Sequence, residues 1–201
     1  MGVAMAKEHE RLIVERAKRD PAAFALLYDR YFPQIYAYTR HRVGNDQDAE
    51  DLVAEIFLNA LTAIERFTWR HEVSCAAWLF RIAHNRLANF YRQQARHGTT
   101  TTLDAATAKL IAPSQPDETV LCDEVVTALH TQLAQLAPRQ REVVALRCFG
   151  ELRNREIAIV LGLNERTVAA HLSRGLRELQ RHFRAAMADD EEAKCAPTKH
   201  N

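Results

Sequence analysis

The sequence predicts an all-α protein made of two small helical domains joined by a flexible linker, the C-terminal domain being a helix-turn-helix. Apolar residues recur at three-and-four spacing in several segments, and no long strand-like alternation is present. The 201 residues include only six glycines and six prolines, so few positions interrupt long helices. A hydrophobic content of 47% is enough for real cores and excludes a wholly disordered chain.

Two periodic segments define the N-terminal half. The first has an apolar face formed by Leu52, Val53, Ile56, Phe57, Ala60, Leu61 and Ile64. Its opposite face carries Asp48, Asp51 and Glu55, which predicts an amphipathic helix with an acidic outer side. The second segment contains Trp78 and continues to Arg96 without glycine or proline, so we expect one long helix.

A poorly periodic stretch separates the halves. Residues 98–120 mix threonine, proline and aspartate, a composition typical of linkers. We therefore expect a first domain over residues 1–97, a linker over 98–120, a second domain over 121–184 and a tail over 185–201.

The second half has the signals of a helix-turn-helix. Pro138 suits the first turn of a helix, and Gly150 ends that helix. Further on, Gly162 can adopt the left-handed conformation after one helix, and Asn164 can cap the next. The apolar stripe of that last helix is predicted to contain Val168, Leu172, Leu176 and Leu179.

The opposite face of the last helix suits DNA. It is formed by Arg166, Ala170, Ser173, Arg174, Arg177 and Arg181. Small residues let the backbone approach the major groove, while arginines contact phosphates or guanine. The alternative is an ordinary surface helix rich in arginine.

The long helix that ends the first domain combines cations with aromatic rings. Its members are Trp78, Phe80, Arg81, Asn85, Arg86, Asn89, Phe90, Tyr91, Arg92 and Arg96. Rings that stack on bases, with cations along the backbone, hold single strands or flipped bases. For Trp78 and Phe80 taken singly, a position in the core is the simpler interpretation.

Charge alternates along the chain although the net charge is only +1. Residues 43–65 carry six acidic and no basic side chains, and residues 66–97 carry six basic against one acidic. Residues 138–184 carry ten arginines against five acidic side chains. The two basic blocks suit two contacts along one polyanion, whereas the alternative is a set of solvated faces.

Several classes of protein are disfavoured. No apolar run approaches the roughly 20 residues of a bilayer span, so we expect a cytoplasmic protein without a membrane span. The four cysteines form no CxxC pair, which argues against a zinc site or a disulfide framework. The nine histidines show no ligand spacing, so we expect no metal, no cofactor and no enzymatic activity.

Two sets of motifs resemble the extracytoplasmic-function (ECF) type of bacterial RNA polymerase sigma factors. The first set is Phe24, Leu27, Tyr28, Tyr31, Pro33, Asp48 to Val53, Phe57, Ala77 to Leu79, Ile82, Ala83 and Asn85. The second is Leu136, Pro138, Gln140 to Val143, Leu146, Glu156 to Ala158, Leu161, Gly162, Thr167, Val168 and Arg174. The resemblance covers about residues 20–97 and 121–184, and two sets in the family's order are more specific than either alone.

The resemblance implies binding to core RNA polymerase, through the β′ clamp helices and the β subunit, and to promoter DNA. The residues implied for docking on the clamp helices are Asp48, Glu50, Asp51 and Glu55. The resemblance also implies that the linker threads toward the active-site channel and RNA exit of the polymerase, and that an anti-sigma factor is a further expected partner.

The resemblance also assigns the two promoter contacts to different halves. The minus-ten element is opened and read by the segment from Arg66 to Ser74 and by Trp78, Arg81, Asn85, Asn89, Arg92 and Arg96. The minus-thirty-five element is read by Arg166, Thr167, Ala170, Ser173, Arg174 and Arg177. The remaining alternative is a helix-turn-helix transcriptional regulator with an N-terminal sensor domain, which would have no reason to pair the acidic face with an aromatic and basic helix.

Overall fold

The helices form two groups along the chain. The computed structural model describes residues 2–69, 73–97 and 131–195. The N-terminal bundle contains α1 (Gly2–Ala17), α2 (Pro21–Val43), α3 (Asp46–Ala63), a 3₁₀ turn (Ile64–Arg66) and α4 (Cys75–His97). The C-terminal bundle contains a helical turn at 131–134, then α5 (Pro138–Gly150), α6 (Asn154–Leu161) and α7 (Glu165–Cys195). The all-α prediction is confirmed, while the predicted linker lies outside the described residues.

Side-chain caps fix where the helices of the N-terminal bundle begin. Asp20 accepts a hydrogen bond from the Ala22 amide at 2.9 Å, and Pro21 occupies the first turn of α2. Asn45 accepts from the Asp48 amide at 2.8 Å at the start of α3. Ser74 does the same for the Ala77 amide at 3.1 Å, so α4 begins immediately after it.

In the C-terminal bundle, the predicted limits of α5 are confirmed. The helix starts at Pro138 and ends at Gly150. Arg141 ties the preceding turn to α5, because its guanidinium donates to the Ala134 and Leu136 carbonyls. The last helix is longer than the predicted domain, since α7 continues beyond residue 184 to Cys195.

The two bundles share one hydrophobic core. Helix α5 packs on α2 and α4, and α6 packs on α4. Fully buried side chains at this junction include Phe80 of α4 and Leu152, which follows α5. Gly150 lies directly against the Phe80 ring, where an added Cβ would be only 3.0 Å from the ring's Cζ atom. The sequence did not predict this packing between the two halves.

A carboxylate sits at the same junction. Glu142 of α5 is only 7% exposed. Its Oε1 atom lies 3.1 Å from Nδ1 of His84 and 3.4 Å from Nη1 of Arg42, and its Oε2 atom accepts from Arg139 at 3.0 Å. We call these four residues the Glu142 cluster. A buried carboxylate is costly without partners. Two of the three partners, Arg42 and His84, belong to the N-terminal bundle, so these contacts favour the packing of the two bundles.

The pKa of Glu142 predicts how the packed state responds to acid. Burial alone would raise this pKa, but the hydrogen bond with His84 and the charges of Arg42 and Arg139 lower it from 4.5 to about 2. A group with a depressed folded-state pKa stabilises the protein above its unfolded-state pKa and loses that contribution as the pH falls towards 2. Glu142→Gln is therefore expected to reduce the free energy of unfolding by about 3 kcal/mol at pH 7 and by little near pH 2.

Urea titrations of the parent and Glu142→Gln at several pH values measure this difference. The two stability curves should converge below about pH 4.5. Parallel curves down to pH 2 would contradict an ionised, paired Glu142.

Candidate nucleic-acid and protein interfaces

The predicted helix-turn-helix is present in α6 and α7. Gly162 follows α6 with φ of 65° and ψ of 32°, the left-handed conformation expected of a glycine at that position. The Asn164 Oδ1 atom accepts from both the amide and the hydroxyl of Thr167, at 2.7 and 2.8 Å. These local contacts set the angle at which α7 leaves the turn.

One residue of the predicted apolar stripe of α7 is placed differently. Val168, Leu172 and Leu179 are buried as expected, but Leu176 is 46% exposed. Gly175 is buried instead of Leu176. With residues spaced 100° apart around the helix, Gly175 lies closer than Leu176 to the middle of the stripe formed by the buried residues. An added Cβ at Gly175 would be 2.8 Å from Cγ2 of Val144. The missing side chain therefore allows α7 to approach α5 closely.

The opposite face of α7 is exposed and basic. Its exposed members are Arg166, Ala170, Ser173, Arg174 and Arg177, whereas Thr167 is half-buried. Nε of Arg174 donates to the Ala170 carbonyl and Nε of Arg177 to the Ser173 carbonyl, both at 3.2 Å. Both guanidinium groups thus follow the helix surface, and the small residues between them leave the backbone open to a groove.

Helix α4 presents a polar strip rather than an aromatic one. Arg81, Asn85, Arg92 and Arg96 are exposed, and Asn89 is half-buried and accepts from the Arg92 guanidinium. Trp78 is half-buried, with its ring 4.9 Å from that of Phe67.

Among the aromatic rings of α4, Phe80 lies in the core, as expected for this residue taken singly. Its ring is fully buried between the bundles. Phe90 and Tyr91 are half-buried, and the Tyr91 hydroxyl donates to the Arg42 carbonyl. These rings pack in or against the core because they lie on the face of α4 that meets it.

The acidic side chains of α3 differ in their surroundings. Glu50 and Asp51 are exposed. The Asp48 carboxylate accepts from the side-chain amide of Asn45 at 2.7 Å, so Asp48 also stabilises the start of the helix. Glu55 is ion-paired with Arg86 of α4. This pair joins the acidic helix to the basic one, and no local pattern in the sequence predicts it.

Membrane spans and metal sites are two further features on which the described residues give information. Within the described ranges, every helix is too short or too polar to cross a bilayer. The same residues contain no group of three or more His, Cys, Asp or Glu side chains placed to hold a metal ion.

Comparison with known proteins agrees with these features. Residues 27–97 match Sigma-70 region 2, and residues 127–179 match Sigma-70 region 4. The two regions, in this order, define a protein of the sigma-70 class.

Individual relatives narrow the class. The ECF RNA polymerase sigma factor SigX of Bacillus subtilis is 30% identical over 174 residues, covering 84% of this chain and 89% of SigX. The ECF RNA polymerase sigma factor BldN of Streptomyces coelicolor is 36% identical over 170 residues, covering 84% of this chain but only 64% of BldN. The chain belongs to the ECF family of RNA polymerase sigma factors.

Solved structures share the fold. CnrH, in complex with the cytosolic domain of CnrY, superposes with a TM-score of 0.65 at 22% identity, covering 88% of this chain and 97% of CnrH. The sigma factor RpoE from Bartonella quintana, in complex with the anti-sigma factor NepR, gives a TM-score of 0.58 at 22% identity, covering 80% and 96%. Because region 2 matches the N-terminal bundle, a sensor domain in that place is not favoured.

Proposed function

We propose that this sigma factor binds core RNA polymerase and directs promoter recognition and DNA opening at the start of transcription. The observation that carries the proposal is the separation of an exposed acidic surface on α3 from exposed basic surfaces on α4 and α7. An enzyme would instead need a convergent set of reactive groups. The protein is proposed to be non-enzymatic and to work in the cytoplasm, where polymerase and chromosomal DNA are found.

The acidic surface of α3 is the proposed polymerase contact. Asp48, Glu50, Asp51 and Glu55 would meet basic groups on the β′ clamp helices, and the β subunit would provide further contacts. Exposed carboxylates of one sign steer association with a complementary surface and fix its register. Of the four, Glu50 and Asp51 are the most available, because Asp48 accepts from the capping residue Asn45 and Glu55 pairs with Arg86.

The basic surfaces are the proposed promoter contacts. In α4, residues Trp78, Arg81, Asn85, Asn89, Arg92 and Arg96, with the preceding segment from Arg66, would open and read the minus-ten element. In α7, residues Arg166, Thr167, Ala170, Ser173, Arg174 and Arg177 would read the minus-thirty-five element from the major groove. The proposed domains remain 1–97 and 121–184, with a linker at 98–120.

An anti-sigma factor is proposed as a further partner. Two structural relatives were solved with such a partner or with the cytosolic domain of another protein. Surfaces used for polymerase and DNA are the natural targets of an inhibitor, because covering them blocks both steps.

In vitro transcription tests the proposed function. Core RNA polymerase from the source bacterium, supplied with this chain, is expected to initiate at a discrete set of start sites on genomic DNA, which sequencing of RNA 5′ ends would identify. Upstream of those starts, two shared elements about 25 base pairs apart should emerge. Transcripts identical to those made by core polymerase alone would reject the proposal.

A further inference from the structure

The ion pair between Glu55 and Arg86 joins two proposed binding surfaces of the N-terminal bundle. Glu55 is one of the acidic side chains of α3, and Arg86 is a cation of α4. The side chain of Glu55 is 50% exposed and that of Arg86 is 32% exposed, so a partner approaching from solvent can reach both groups. A carboxylate expected to meet polymerase thus already binds a cation on the helix expected to meet the promoter.

Arg86 lies at the edge of the polar strip of α4. Residues three positions apart are neighbours on a helix surface, so Arg86 borders Asn89, and Asn85 directly precedes it. On its other side, Arg86 faces α3 through the pair with Glu55. Because arginine has one of the largest rotamer freedoms of any side chain, Arg86 can turn either towards α3 or towards a molecule that lies on the strip.

The guanidinium of Arg86 is not fully satisfied by this pair. Its Nε atom is buried, and within the described parts of the chain no group accepts a hydrogen bond from it. Buried donors are nearly always paired, so an unpaired one indicates an acceptor that the free chain lacks. A phosphate suits this role, because it accepts two parallel hydrogen bonds from one guanidinium.

Electrostatics favour an exchange of partners. A partly exposed ion pair contributes little to stability, so Glu55 holds Arg86 only weakly. While the pair persists, the carboxylate also keeps a negative charge beside the strip and opposes the approach of phosphates. A basic group of the polymerase that binds Glu55 would compete with Arg86 and repel it, because like charges brought close together are unfavourable.

We propose that Arg86 is a further promoter contact, which Glu55 holds in the free chain and releases when polymerase binds Glu55. The released guanidinium binds a phosphate of the strand whose minus-ten bases meet Asn85 and Asn89. The exchange replaces one internal pair by two intermolecular pairs, so polymerase and DNA each strengthen the binding of the other through these two residues. The inference rests on the proposed function, because both binding partners come from it.

The number of phosphates that the protein neutralises provides the test, because it sets how steeply DNA affinity falls with salt. The probe is a labelled promoter fragment from a mapped start site, left single-stranded across the minus-ten element. Arg86→Gln should weaken binding of the holoenzyme about tenfold and make the slope of log affinity against log salt shallower by about 0.7, the value for one phosphate of a single strand. The same substitution should leave the slope of the free chain unchanged.

The partner variant reports the release directly. Glu55→Gln removes the charge that holds Arg86, so the free chain should bind the same fragment severalfold more tightly, with a slope steeper by about 0.7. Adding Arg86→Gln to Glu55→Gln should abolish this gain, whereas adding Arg86→Lys should keep the steeper slope, because the slope depends on the charge.

Matched controls make the same charge changes elsewhere. Glu8→Gln and Arg11→Gln alter exposed positions of α1 and should leave both slopes at the parental value. Circular dichroism establishes that each variant keeps the helix content of the parent, and Glu55→Gln alone carries the test if Arg86→Gln does not.

The possible results separate this exchange from the function on which it rests. A holoenzyme slope that Arg86→Gln leaves unchanged would overturn the contact. An equal change of slope in free chain and holoenzyme, or a free Glu55→Gln chain with the parental slope, would overturn the release. A parent chain that binds no polymerase would reject the proposed function, and the exchange would fall with it.

Discussion

Replacing Glu50 and Asp51 together by lysine is expected to weaken binding to core RNA polymerase at least about tenfold, or about 1.4 kcal/mol. Both side chains are exposed on α3. The reversal places two cations where a basic partner surface is expected, and like charges across an interface cost both association rate and affinity. Fluorescence titration of labelled chain with core polymerase at physiological salt measures the effect.

The control for this variant carries the same change in net charge elsewhere. Glu8→Lys with Asp29→Lys alters two exposed acidic residues of α1 and α2. Asp48 is left intact because its contacts with Asn45 stabilise the start of α3, so its replacement would mix folding with binding. Parental affinity in the Glu50/Asp51 variant would exclude this face from the polymerase contact.

Opening of the promoter is expected to depend on residues of the N-terminal bundle, and reading of the minus-thirty-five element on residues of the C-terminal bundle. Arg174→Ala should cost about 1–3 kcal/mol if the guanidinium contacts a base edge or a phosphate, and it should reduce initial promoter binding. Asn85→Ala with Arg92→Ala should mainly reduce strand opening, since these residues lie on the exposed polar strip of α4. Transcription is compared between an intact duplex promoter and one opened beforehand by mismatches across the minus-ten element.

The opened template should rescue the Asn85/Arg92 variant at least partly and the Arg174 variant much less. Arg11→Ala, at an exposed position of α1, controls for the loss of one arginine. Equal rescue of both variants, or rescue of neither, would mean that opening and reading are assigned to the wrong bundles.

Local signals made the helix-turn-helix predictable. Gly162 and Asn164 act through contacts within a few residues, so their types and spacing suffice to place the turn. The register of the α7 stripe was harder to predict. Hydrophobicity favours Leu176 as the core residue, but the close approach of α5 selects Gly175, and that approach depends on tertiary packing.

The contacts between bundles could not be predicted in the same way. Glu142 is separated from Arg42 by 100 residues, and charge spacing along a single helix says nothing about such a pair. The ion pair of Glu55 with Arg86 is likewise set by the crossing of α3 and α4. Phe80 was correctly expected to favour a core position, but which core it enters depends on the other half of the chain.

The close contact between Gly150 and the Phe80 ring bears on whether the N-terminal and C-terminal halves of related sigma factors can be exchanged. In a chimera, a C-terminal half from another member would meet the N-terminal half through positions 142 and 150, which are not among the residues proposed to contact polymerase or promoter. A bulkier residue at position 150, or a neutral one at position 142, would keep the side chains proposed to read the promoter and yet weaken the packing of the two halves of the hybrid. The proposed promoter contacts and the fit between the two halves therefore depend on different residues, and they can diverge separately.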